Sequence, residues 1–215
     1  MSLVRQGWLG GTFDPIHCGH LDVARVAREA MALDIVHLVP ARVPPHRSAP
    51  HATPSHRLAM VTLAAKAHAW LRVSDIEMAA TTPSYTVDTL DRLATQGVSL
   101  GALYVVTGAD AFAGILSWKD ADRLLTRCHF VVVSRPGHPA PALRLALPTL
   151  AVRMRNPGED DQQVQPSIFL VDAPTAPVSS TEVRAVASAG SSLEGLVPTT
   201  VAEYIERNDL YRGVA

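Results

Sequence analysis

The feature that most limits what this chain can become is the run Gly10-Gly11-Thr12-Phe13-Asp14-Pro15-Ile16-His17-Cys18-Gly19-His20, which follows a short strand-like start and opens a helical pattern. Glycines there let a ligand approach backbone N–H groups closely. A helix starting directly after the turn adds unpaired N–H donors and the positive end of its dipole. His17 and His20 are three residues apart and share a face of the first helical turn. Amides, dipole and two imidazoles aimed together make a phosphate site, and a strand-turn-helix unit is what presents them. The run matches neither GxxxxGK followed by Ser or Thr nor GxGxxG, so it is not one of the common nucleotide loops.

The rest of the chain repeats the strand-helix alternation. Residues 17–33 read as a helix with Leu21, Val23, Ala24, Val26, Ala27 and Met31 on one broad side. Further strands are expected at 35–39, 71–76, 102–107, 130–134 and 168–171. Helices are expected from a Ser55 cap to about 69, from a Thr86 cap to about Gly97, broken over 111–127, and from about 180 and 199. Residues 40–54 hold five prolines and cannot form a long regular element. Residues 139–166 are Pro-rich and then acidic, and read as a surface excursion. This order implies an α/β fold: a doubly wound, mostly parallel sheet with helices on both faces. It is read as one domain over 1–215, whose C-terminal helices begin at about 180. Ligands on such a sheet bind beyond the C-terminal strand ends, where the strand order reverses.

With 215 residues, 47% of them apolar and 18% charged, the chain can bury a core without disulfides or metals. A formal net charge of -1 gives no reason to expect a nucleic-acid or membrane partner. Cys18 and Cys128 form no CxxC pair, and no signal peptide or membrane-length apolar run is read, so a reducing, cytoplasmic setting is expected. Half a zinc site at His17 and His20 would need further ligands, and no dedicated metal site is expected.

A second constellation, Val178-Ser179-Ser180-Thr181-Glu182-Val183-Arg184, follows the last expected strand. Hydroxyls at a helix start either cap N–H groups or meet a phosphate. Arg184, one turn after Ser180, can serve the same ligand. A plain capping arrangement reads equally well from this segment alone.

The first run resembles GxFxPxHxGH, the signature of the HxGH nucleotidyltransferase superfamily, with Gly11, Phe13, Pro15, His17, Gly19 and His20 at its fixed positions. The second resembles that superfamily's SSTxxR segment. Shorter matches point to the bacterial nicotinate-nucleotide adenylyltransferases: Val43-Pro44-Pro45-His46-Arg47, Pro83-Ser84-Tyr85-Thr86, Gly108-Ala109-Asp110-Ala111, Trp118, Arg135-Pro136-Gly137 and Leu210-Tyr211-Arg212. The chain departs from many members at Ala41-Arg42, where they carry Asn. The resemblance implies a Rossmann-like nucleotidyltransferase fold and transfer of the adenylyl group of ATP, with Mg²⁺ carried on the ATP, to nicotinate mononucleotide.

It assigns His17 and His20 to catalysis, and Gly10, Gly11, Thr12, Phe13, His17, His20, Ser179, Ser180, Thr181 and Arg184 to ATP. It assigns His46, Arg47, Tyr85, Thr86, Gly108, Asp110, Trp118 and Arg135 to the mononucleotide. From the residues alone, Phe13 and Trp118 also read as core packing and Asp14 as a turn or cap residue. Left open are nicotinamide mononucleotide or another phosphate acceptor, a silent nucleotide sensor, and a homo-oligomeric state.

Overall fold

Alternating side chains of strand β1 (Gln6–Gly11) feed two separate cores, Leu9 into one and Trp8 into the other. A strand buried on both faces needs helices on both. The computed structural model, which describes residues 4–45, 49–79, 82–159 and 166–213, shows them. Strands β2 (Ile35–Pro40), β3 (Leu71–Val73), β4 (Leu103–Gly108), β5 (His129–Val133), β6 (Met154–Arg155) and β7 (Ile168–Val171) join β1 in one seven-stranded sheet ordered β3-β2-β1-β4-β5-β7-β6. Every strand pairing in it is parallel, so the expected doubly wound sheet is parallel throughout.

Helices α1 (Cys18–Met31) and α2 (Pro54–Ala65) pack on the Leu9 face. Helices α3 (Thr86–Thr95), α4 (Ala109–Phe112), α5 (Ala121–Leu125) and α6 (Leu143–Ala146) pack on the Trp8 face. Helices α7 (Ser180–Ser188) and α8 (Thr199–Arg207) return to the Leu9 face. The strand order reverses at β1, which has β2 on one side and β4 on the other. The C-terminal ends of β1 and β4 therefore open into the crevice where ligands of such sheets bind.

Four expectations are corrected. Helix α2 begins two residues earlier than the Ser55 cap implies. Thr53 is its N-cap, accepting from the His56 amide at 3.3 Å, and Pro54 takes the first helical position, where its missing N–H costs nothing. Thr86 is already helical, and Tyr85 stands at the cap position. β3 stops at Val73. Residues 139–166 are more than a surface excursion: among the described part, Ala140, Leu143, Leu147, Leu150 and Met154 are buried in the Trp8-face core, and β6 adds an edge strand beside β7. Their leucines recur at helical and 3₁₀ spacing, a signal that the proline content of the segment obscured.

Candidate active site

The turn after β1 is gripped from behind at one carbonyl after another. Gly11 O accepts the Ala41 amide at 2.9 Å, Thr12 O accepts Arg57 Nη1 at 2.6 Å, Asp14 O accepts Arg184 Nη1 at 2.8 Å, and Pro15 O accepts Ser180 Oγ at 3.0 Å. With its acceptors committed to the protein, this turn offers donors to the crevice. Phe13 has a left-handed φ of +50°, uncommon for an aromatic residue, and its ring is buried. A Cβ on Gly11 would come within 2.9 Å of that ring, so the glycine is needed for the turn itself.

Gly10 differs. Its φ is ordinary, and a Cβ there would meet no atom within 4 Å. Packing does not require glycine at this position, so the open space above it is where a ligand would press against the strand. Gly10→Ala is expected to leave the melting temperature within about 2 °C of the parent, because alanine loses less backbone entropy than glycine on folding. The same substitution should weaken ATP binding about tenfold, the cost of a small clash at a fitted surface. A melting scan and a binding titration check both halves.

His17 is the N-cap residue of α1 and is buried, while His20 sits one turn along. Their rings lie 3.7 Å apart between centroids, and His20 meets the edge of Phe13 at 4.9 Å. His20 Nδ1 accepts the His17 amide at 3.3 Å, so a neutral His20 carries its proton on Nε2. His17 Nδ1 is buried and has no hydrogen-bond partner among the described residues. Burial, then the nearby Arg135 guanidinium, lowers the His17 pKa to about 3, so the ring is neutral at pH 7. A buried ring nitrogen left unpaired in the free protein is costly, and a phosphate oxygen or hydroxyl would satisfy it.

The second constellation divides its labour. Ser179 is the N-cap of α7, accepting from the Glu182 amide at 3.1 Å in a capping box, so the capping alternative describes Ser179. Ser180 and Arg184 reach across to Pro15 and Asp14 and tie α7 to the first turn. Thr181 Oγ1 accepts from Arg184 Nη2 at 3.2 Å.

One cavity of about 580 Å³ holds nearly all the expected residues. Gly10, Gly11, Thr12, Phe13, His17, His20, Ser179, Ser180, Thr181, Arg184, Tyr85, Thr86, Gly108, Asp110, Trp118 and Arg135 all line it. His46 and Arg47 lie outside the described residues. Tyr85 and Thr86 present the N-terminus of α3, and Trp118 is half-buried against the Trp8-face core while also lining the cavity. Gly108 lets two side chains cross its face: a Cβ there would collide with Asp110 Oδ1 and lie 3.0 Å from Arg135 Cγ. Arg135 thus passes close to Gly108 beside Asp110, and its charge is felt at His17.

Sequence reading missed three residues. Arg57 is fully buried and donates to the carbonyls of Ala52, Thr12, Ala41 and Arg42. Its signal was spacing, since it lies on the α2 stripe of buried Met60, Val61 and Ala64. Glu77 is a buried carboxylate lining the cavity beneath α3, where it accepts from Thr89 Oγ1 at 2.5 Å and burial raises its pKa. Lys119 pairs with Asp88 at 2.9 Å and lies 4.9 Å over the Tyr85 ring. Among the described residues, no group of three or more His, Cys, Asp or Glu is placed to hold a metal ion. No described helix is long and apolar enough to cross a membrane.

A wholly parallel sheet with a histidine-bearing, donor-rich turn at its reversal point defines a nucleotidyltransferase, and the chain matches the family model described as cytidylyltransferase-like over residues 8–186. Within that class, it belongs to the nicotinate-nucleotide adenylyltransferase family. It is 39% identical over 215 residues to a protein of Pseudomonas fluorescens named "Probable nicotinate-nucleotide adenylyltransferase", with 97% of each chain covered. It is 40% identical to one of the same name from Roseiflexus sp., covering 99% of this chain and all 100% of that one. The fold is shared with Plasmodium falciparum nicotinic acid mononucleotide adenylyltransferase complexed with NaAD, at a TM-score of 0.73 and 18% identity over 96% of each chain.

Proposed function

We propose that this enzyme transfers the adenylyl group of ATP to nicotinate mononucleotide, giving the deamido dinucleotide and pyrophosphate. The observation that carries the reading is the joining, in one cavity, of the His17–His20 turn at one side and the α3 N-terminus with Trp118 at the other. The first suits a triphosphate. The second suits a flat ring bearing a carboxylate, because an indole offers a face and a helix start offers amides to an anion.

The mononucleotide phosphate is anionic at neutral pH and needs no base. One of its oxygens attacks the α-phosphorus of ATP, a new P–O–P bond forms, and the bond from the α-phosphorus to the bridging oxygen breaks to release pyrophosphate. Catalysis then consists of alignment and charge stabilisation. His17 and His20 donate to phosphate oxygens as charge builds, and the amides of Gly11 to Phe13 cradle the chain of phosphates. Arg135, whose charge is felt at His17, adds a cation on the phosphate side, and Arg184 adds a second once its Asp14 contact is shared. Asp110 meets ribose hydroxyls. Mg²⁺ enters as MgATP, held mainly through ATP oxygens and water, as that ion prefers.

The test is product identification after mixing the protein with ATP, Mg²⁺ and a panel of phosphate-bearing acceptors. Deamido dinucleotide and pyrophosphate in equal amounts are expected. The kcat/KM for nicotinate mononucleotide should be at least about tenfold above that for nicotinamide mononucleotide, because the helix-start amides favour the acid over the amide. Preference for the amide, or no pyrophosphate with any acceptor, would overturn the proposal.

A further inference from the structure

The segment Leu210-Tyr211-Arg212 has no part in the steps above, yet it reaches the motif turn. Tyr211 is buried and adopts a left-handed φ of +64°, a conformation unfavourable for a tyrosine unless the surroundings hold it. Its hydroxyl donates to Asp14 Oδ1 at 2.9 Å. The same carboxylate accepts the His51 amide at 2.7 Å and the Ala52 amide at 3.0 Å. Asp14 therefore knots three segments: the turn after β1, the loop before α2, and the stretch after α8. Burial and the Asp14 charge push the Tyr211 pKa up, which keeps the hydroxyl a donor.

We propose that Tyr211 is a positioning residue for adenylyl transfer, whose hydroxyl, through Asp14, holds the Gly11–Pro15 turn in the shape that receives the triphosphate. This rests on the reading of that turn as the ATP site. The logic is geometric. The Ala41 amide, Arg57, Arg184 and Ser180 hold the backbone of the turn, and the Asp14 side chain adds a side-chain anchor to them. Released there, the turn keeps its fold and loses its fit, and catalytic alignment tolerates little misplacement.

A second tyrosine supplies the control. Tyr204 on α8 shares a hydrogen bond of 2.9 Å with His56 Nδ1 on α2, tying the same C-terminal region to the same face without touching the motif turn. Tyr211→Phe and Tyr204→Phe are compared for melting temperature, for equilibrium ATP affinity without acceptor, and for kcat and both KM values. Tyr211→Phe is expected to weaken ATP binding and raise its KM roughly five- to thirtyfold, with the KM for the mononucleotide within about twofold of the parent. Tyr204→Phe is expected to lose stability with every kinetic constant within about twofold of the parent. Equal kinetics in the two variants, measured on folded protein, would overturn the proposal.

If Tyr211→Phe does not fold, Asp14→Asn carries the same test, and parent-like ATP affinity in that variant overturns it equally. A parent chain that binds ATP but makes no dinucleotide would refute the proposed function and leave the ATP comparison standing.

Discussion

His20→Ala is expected to lower kcat at least tenfold, about 1.4 kcal/mol of transition-state stabilisation, in a protein that stays folded. The effect is predicted in kcat because the His20 ring is already placed: it lies against His17 and Phe13, and its Nδ1 is fixed by the His17 amide. That bond also acts as a cap at the start of α1, so its loss should cost about 1 kcal/mol of stability. Its neighbour is neutral, with a pKa lowered to about 3, so His17 cannot replace the missing donor by gaining a proton at pH 7. Steady-state kinetics with a melting scan on the same preparation separates the two effects. A folded variant with unchanged kcat would remove His20 from the mechanism.

Arg57→Ala should be the most destabilising single change near the site. Arg57 is fully buried and serves four carbonyls. Truncation would strand those carbonyls without donors and would remove the cation that faces Asp14. Losses of this kind cost about 3–5 kcal/mol. For a chain of this size, even 3 kcal/mol corresponds to roughly 6–12 °C in melting temperature. Arg57→Lys should recover only part of it, because an ammonium cannot reproduce the guanidinium fork. A melting temperature for Arg57→Ala within about 2 °C of the parent would mean that water replaces the side chain at little cost.

Much of this architecture was legible because local pattern and global fold agree. The apolar runs at β4, β5 and β7 are short, β-branched and bounded by polar or turn residues, so their strand character was plain. The motif turn was legible because its glycines and histidines have few other uses at a strand-helix junction. Contacts between distant segments were not. Asp14 reads locally as a turn former, and nothing near it in the chain announces Ala52 or Tyr211 as partners. Arg57 was hidden by its charge, although its position on the buried stripe of α2 was visible. Residues 140–155 were misjudged because proline suggested exposure, whereas their leucines fill the core in turns too short for periodicity to stand out.

The bond between Asp14 and Tyr211 spans 197 positions of chain. A ribosome releases the first of these residues long before the second, so for most of synthesis the nucleotide turn has emerged without its distal anchor. Local glycines and the α1 start can form early, whereas the finished pocket must await the tail. Competence for the reaction would then arrive as a late event in the protein's making, coupled to docking of the stretch after α8.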